Sequence, residues 1–225
     1  HLLAELTPKP DQVTIAINTV QMNITELLTA ADIRGTQFEN PAVCNAWSEM
    51  VVDATPSFFI EHLKRLRAND IQPYFMLANV AQLETVERLI RAGLYMGPLN
   101  HCLVAIGGGA VGPDPFNAFD YIRKSPQGGI LQLETIMRSV PPTMAMAIAL
   151  GVHVRVGIED NIWKSPTERF TSVRQVEQVV RIARELGRDI ATADDARRIM
   201  KIGTWYDSVD ETLAHLGMAP NRKPG

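Results

Sequence analysis

The stretch Gly151-Val-His-Val-Arg-Val-Gly-Ile-Glu-Asp-Asn-Ile-Trp163 joins the clearest strand pattern in this 225-residue chain to its densest group of reactive side chains. Val152, Val154 and Val156 alternate with His153, Arg155 and Gly157, the period of two of a β-strand, so the valines share one face and the polar residues the other. Gly157 ends the alternation. Glu159, Asp160 and Asn161 follow at once, which puts two carboxylates just past the carboxyl end of a strand that carries an arginine. In α/β folds that end of a strand is where sites are built. Adjacent carboxylates repel unless a cation or a shared proton intervenes, so Glu159 and Asp160 beside Arg155 point to a bound metal, a salt bridge or a general base with a shifted pKa. The same pattern also describes a strand-end turn whose acids are solvated and whose arginine pairs with one of them.

Working outward, the flanking sequence alternates strand and helix signals. An apolar run begins near Val13, after Pro8 and Pro10, and ends in the alternately polar Asn18 to Asn23. Thr55-Pro56 reads as an N-cap with proline at the first helical position, opening a helix through about Ala68 with Phe59, Leu63 and Leu66 on one face. A strand over Gln72 to Leu77 follows. Leu83, Val86, Leu89 and Ile90 then recur at helical spacing, with Gly93 able to close that helix. His101 to Ile106 reads as a buried strand that runs into Gly107-Gly108-Gly109, a triplet whose N–H groups could cradle a phosphate. His101 and Cys102 invite a metal or nucleophile reading, against that of a core histidine. A strand from Gly129 to Leu133 and a small-residue helix, Thr143 to Leu150, lead into the signature. After it, Ser172 is read as capping a helix with Val173, Val176, Val179, Val180, Ala183 and Leu186 on one stripe. Thr192 to Asp195 approximates a capping box, and Asp207 to Leu216 forms a last amphipathic helix. Strands and helices in alternation argue for a parallel sheet in a single domain spanning 1–225.

Composition narrows the function classes. With 46% hydrophobic residues and a formal charge of -3, from 22 basic against 25 acidic residues, the chain is globular and has no basic field for nucleic acid. Cys44 and Cys102 are too few and too distant for a disulfide framework, which fits a reducing, cytoplasmic setting. No apolar run approaches the roughly 18 to 20 residues of a membrane span.

The string G-V-H-V-R-V-G-I-E-D-N-I-W resembles the last-strand signature of the β-keto acid cleavage enzymes, a family that includes 3-keto-5-aminohexanoate cleavage enzyme, and the similarity runs from about Val13 to Ile202. The motif is long and specific. The resemblance implies a zinc-dependent (β/α)8 barrel in which Glu159 ligates zinc, Asp160 is the catalytic acid/base and Arg155 takes part in binding and transfer. It further implies a transfer between a β-keto acid and acetyl-CoA, giving a CoA thioester and acetoacetate. Asn23 matches an asparagine of the fourth barrel strand, and Gln21 stands where the family usually has a small substrate-contacting hydroxyl residue; Gly108, in the glycine triplet, is read from the residues alone as a phosphate or CoA contact, against that of a tight barrel-top loop. The fifth strand departs from the pattern: Pro73 is followed by Tyr74-Phe75-Met76, where some members carry an acid that selects an amino-bearing substrate.

Strands near Val13, Gln72, Cys102, Ile130 and Val152 correspond to strands 4 to 8 of such a barrel, which needs eight. The family's His-x-His pair of zinc ligands has no match here. The expectation is therefore an incomplete barrel, either a fragment of a longer protein or a truncation that has lost metal and activity. An open edge of this kind favours a homo-oligomer. Another metal-dependent barrel lyase, such as an aldolase, is the remaining alternative.

Overall fold

The structure is a computed structural model. It describes residues 2–222 apart from 18, 19, 24, 26, 27, 53, 107–109, 137–139 and 166, and only the backbone of 20–22 and 52. The chain opens with β1 (Gln12–Ala16) and β2 (Val20–Met22). Two helices that the hydrophobic period does not announce follow, α1 (Ala30–Ile33) and α2 (Pro41–Ser48), and then β3 (Met50–Val52), which pairs antiparallel with β2. The start of α2 is local chemistry: Asn40 accepts from the Ala42 N–H, and Pro41, which has no N–H to leave unpaired, takes the first turn.

From here the strand–helix alternation is regular. Helix α3 (Pro56–Ala68) is capped by Thr55, which accepts from Phe58, and buries Phe59, Leu63 and Leu66. Strand β4 (Gln72–Leu77) leads to α4 (Gln82–Arg91), after which Gly93 adopts φ 72°, a conformation that costs a residue without Cβ little. Next come β5 (Asn100–Ala105), α5 (Pro115–Lys124), β6 (Ile130–Thr135), α6 (Val140–Ala149) and β7 (His153–Val154). A small antiparallel pair, β8 (Trp163–Ser165) and β9 (Glu168–Arg169), precedes α7 (Ser172–Glu185), α8 (Ala193–Ile199) and α9 (Val209–His215).

Strands β1, β4, β5, β6 and β7 form one parallel sheet in that order, at the five positions read from the sequence. Strand period sorts its side chains. One face, with Ile15, Phe75, Leu77, Leu103 and Leu133, packs under the helices with Leu63, Val86, Ile90, Met144 and Val179 in the main core. Each such fully buried aliphatic or aromatic side chain contributes about 1.5–3 kcal/mol. The opposite face carries Tyr74, Cys102, Val104, Gln132, Glu134 and Arg155, with only a small apolar cluster of Tyr74, Cys102 and Val104.

The alternation in the quoted stretch is realised. Val152, Val154 and Val156 pack against the main core, and the pairing passes beyond β7 through the Arg155 N–H to the Leu133 carbonyl at 3.0 Å. Helix α7 departs from the expected stripe. Val179 and Ala183 are buried as read, but Val173, Val176 and Leu186 are exposed, and Gln175 is buried in their place. The reason is a tether: Gln175 Nε2 donates to the Asn161 carbonyl at 2.5 Å and turns the first part of the helix. The cap of α7 is Thr171, whose oxygen accepts from Arg174, while Ser172 Oγ accepts from the Ile158 N–H instead. No helix among the described residues is long and apolar enough to cross a membrane.

Candidate active site beyond β6 and β7

The residues past β7 are wound into a turn by the Gly157 carbonyl, which accepts from both the Asp160 and Asn161 N–H groups. Ser172 from α7 holds Ile158, and Gln175 holds Asn161, so one helix pins the turn at two points. This places Glu159 and Asp160 beside the arginine that leaves β7. Pairing of β6 with β7 runs Gln132 to His153 and Leu133 to Val154, so the next residue of β6, Glu134, lies across from Arg155 on the same face.

Arg155 is the centre of the group. Its Nη1 lies 2.8 Å from Glu134 Oε2, while its Nη2 lies 2.5 Å from Glu159 Oε2 and 3.6 Å from Asp160 Oδ1. The last separation is an ion-pair distance and too long for a hydrogen bond. The three acids differ in solvent: the side chains of Glu134 and Asp160 are 1% and 4% exposed, that of Glu159 is 82%. The Glu159 contact is thus a surface ion pair worth about 0–1 kcal/mol. Breaking a buried pair by removing one partner costs several times more, about 3–5 kcal/mol.

Burial raises the Glu134 carboxyl above its ordinary range, helped by the nearby charge of Asp160 and opposed by Arg155. Burial also raises Asp160, against the pulls of a Glu134 hydrogen bond and of Arg155. Apart from a proton that it can share with Glu134, Asp160 has no hydrogen-bond donor among the described residues. Two buried carboxyls beside one guanidinium therefore bind a proton between them more readily than isolated acids do. The Cys102 thiol donates to Glu134 Oε2 at 3.7 Å and is held protonated by burial, so it is a poor nucleophile. Tyr74 Oη donates to Gln132 Oε1 at 2.9 Å lower on the same face.

The structure thus brings Arg155, Glu159 and Asp160 together and adds Glu134, which the sequence reading passed over because its strand stopped at Leu133. Continuing the alternation one step from Gln132 would have found it. The remaining candidates lie apart from this group or outside the description. Asn23 is exposed and its Oδ1 accepts from the Thr25 N–H and hydroxyl, a local turn. Gln21 pairs through its backbone with Val51, and its side chain lies outside the described residues, as does Gly108. His101 sits on the helix-covered face, fully buried, with Nδ1 2.8 Å from the Tyr121 hydroxyl; desolvation lowers it to about 4, the behaviour of a core histidine. His153 is exposed and borders a cleft of about 510 Å³ between β7, α7 and α8. Among the described residues no group of three or more His, Cys, Asp or Glu side chains is placed to hold a metal ion.

Comparison with known proteins agrees with the signature. A 3-keto-5-aminohexanoate cleavage enzyme of Acetoanaerobium sticklandii is 29% identical over 160 residues, 71% of this chain and 59% of that protein. One of Fusobacterium nucleatum is 42% identical over 78 residues, 34% of this chain and 29% of the relative. A 3-dehydrocarnitine:acetyl-CoA trimethylamine transferase of Rhizobium meliloti is 27% identical over 156 residues, covering 68% of this chain and 51% of its own length. The chain thus spans between half and three fifths of the length of the Acetoanaerobium and Rhizobium relatives. A family model described as beta-keto acid cleavage enzyme matches residues 2–202, nearly the whole of the sheet and its helices, and the chain belongs to the β-keto acid cleavage enzyme family.

Proposed function

We propose that this chain carries the proton-transfer and anion-binding part of a β-keto acid cleavage site that uses acetyl-CoA. The observation behind the reading is Arg155 held between a buried Glu134 and a buried Asp160 at the carboxyl ends of neighbouring parallel strands. In the reaction R–CO–CH2–COO⁻ plus acetyl-CoA gives R–CO–S–CoA plus acetoacetate, so a two-carbon carboxymethyl unit leaves one acyl group and joins another. Asp160 would take and return a proton, since among the described residues Glu134 and Arg155 act on its carboxyl at close range. Arg155 would balance the anionic charge of the keto acid and of the transfer step, through a planar fork suited to carboxylate and thioester oxygens.

Zinc belongs to this reading only in part. A bound zinc supplies Lewis-acid polarisation of the keto acid's oxygens. Glu159, outward-facing and hydrogen-bonded to Arg155, is the residue we assign as a ligand. Zinc sites use at least three protein ligands, and the described residues do not complete one.

We read the five-stranded sheet as strands 4 to 8 of a (β/α)8 barrel, one domain over 1–225, acting as a homo-oligomer. Asn23, Gln21 and Gly108 are assigned to substrate contacts from the signature's context. The substrate is inferred to lack an amino group, because β4 presents Tyr74 and Met76 where an acid would be needed. A second reading, a non-catalytic chain, is favoured by the lack of a metal-holding group among the described residues. Incubation of the protein with acetyl-CoA and a panel of neutral and amino-bearing β-keto acids, with mass detection of new CoA thioesters, separates the two. Thioester formation from neutral acids that disappears in Arg155→Lys supports the enzyme; no thioester from any acid supports the second reading.

A further inference from the structure

We propose that Glu134 is a positioning residue for Arg155: it anchors one guanidinium nitrogen from inside the sheet so that the other stays aimed at the open side of the site. The inference rests on the reading above, in which Arg155 meets an anionic substrate. Glu134 is on β6 and Arg155 follows β7, so their contact is made by strand pairing and needs no ordered loop. Glu134 Oε2 accepts from Arg155 Nη1 at 2.8 Å and from the Cys102 thiol at 3.7 Å, which restrains the carboxyl from the β5 side as well.

The division between the two nitrogens is the informative feature. Nη1 is held by an acid that is 1% exposed and cannot exchange its partner for water, whereas Nη2 faces Glu159, 82% exposed, and Asp160 at 3.6 Å. When a ligand claims Nη2 in place of the exposed Glu159 contact, the guanidinium remains oriented by Glu134. A purely structural role accounts less well for this acid. Its neighbours Tyr74, Cys102 and Val104 form an apolar cluster, and in such surroundings a hydrocarbon side chain packs at least as stably as an ion pair. A carboxylate here has a use if the orientation of Arg155 matters.

The test is ¹⁵N NMR of the arginine side chains in the whole chain, with the Arg155 signals identified by their loss in Arg155→Lys. The wild type should show separate Nη1 and Nη2 resonances, because rotation about the Cζ–Nε bond is blocked; averaged signals in the wild type overturn the proposal, even if variants fail to fold. Glu134→Gln should merge them, and Glu159→Gln should leave them resolved. If Glu134→Gln keeps them resolved, Glu134 does not anchor the guanidinium. In turnover, Glu134→Gln should lower kcat by roughly tenfold to a hundredfold with KM for the keto acid unchanged or lower, since the cation is kept and only its aim is lost. A rise in KM with unchanged kcat would overturn the positioning role. Resolved wild-type signals that merge in Glu134→Gln, in a protein that forms no thioester, would uphold the anchor and sink the function assigned to the site.

Discussion

The two faces of the parallel sheet are built from the same strands and by opposite rules. Under the helices lie Phe75, Leu77, Leu103 and Leu133, each 1% exposed or less, with His101, neutral and bonded to Tyr121, and Thr135 as buried polar residues among them. On the other face, one residue along each strand, Gln132 is bonded to Tyr74 and Glu134 is paired with Arg155. Hydrocarbon burial gains wherever shape allows, whereas buried charge is tolerated only where partners are arranged and rarely adds net stability. The first face therefore holds the fold together, and the second is where chemistry is to be sought.

That contrast can be broken experimentally, and the largest effect should come from the polar face. Asp160→Asn keeps shape and removes the base, so turnover should fall by roughly two to four orders of magnitude, with the melting temperature little changed. Near-normal turnover would mean that Asp160 is not the proton carrier. Truncation on the helix-covered face should do the converse: Phe75→Ala is expected to cost about 3–5 kcal/mol in denaturant unfolding. Glu134→Gln, on the face opposite, should cost less than that, because Arg155 is 30% exposed and keeps Glu159 as a partner. If the two variants are equally destabilised, the division of labour between the faces is wrong.

A third test uses pH. His101 is lowered from 6.5 to about 4 by desolvation, so between those values the unfolded chain binds more protons than the folded one. Its contribution is present above pH 6.5 and is lost as pH falls through about 4. The loss amounts to about 3 kcal/mol at most, read from unfolding free energies at pH 7, 5 and 4. A flat profile over that range, or one unchanged in His101→Gln, would show that the helix-covered face does not hold this ring neutral. The smallest expected effect is that of Glu159→Gln on stability, about 0–1 kcal/mol, given its exposure. If Glu159 ligates zinc, the same variant should lower the metal content of protein purified with zinc; unchanged content, with loss in Asp160→Asn, would exchange the two roles.

The five strands of the parallel sheet and the helices α3, α4, α6, α7, α8 and α9 were legible in the residues because their signals are local: period-two alternation over Val152 to Val156, Thr55-Pro56 before α3, and Gly93 after α4. The errors were non-local. Helix α7 carries valines at helical spacing, yet Val173 and Val176 are exposed, because a tether from Gln175 to the Asn161 carbonyl sets the rotation of the helix. Ser172 looks like a cap and holds Ile158 instead, a choice visible only once α7 lies against the turn.

By itself the sequence determined that side-chain alternation runs up to Gly157, with Arg155 on one side and two acids beyond it, since alternation and a glycine-led turn depend only on neighbours in the chain. Which acids are buried, and which one holds the arginine, was decided by tertiary structure. Glu134 meets Arg155 across 21 residues of chain because β6 and β7 pair in one register, and slipping that register by one residue would turn the carboxylate into the hydrocarbon core.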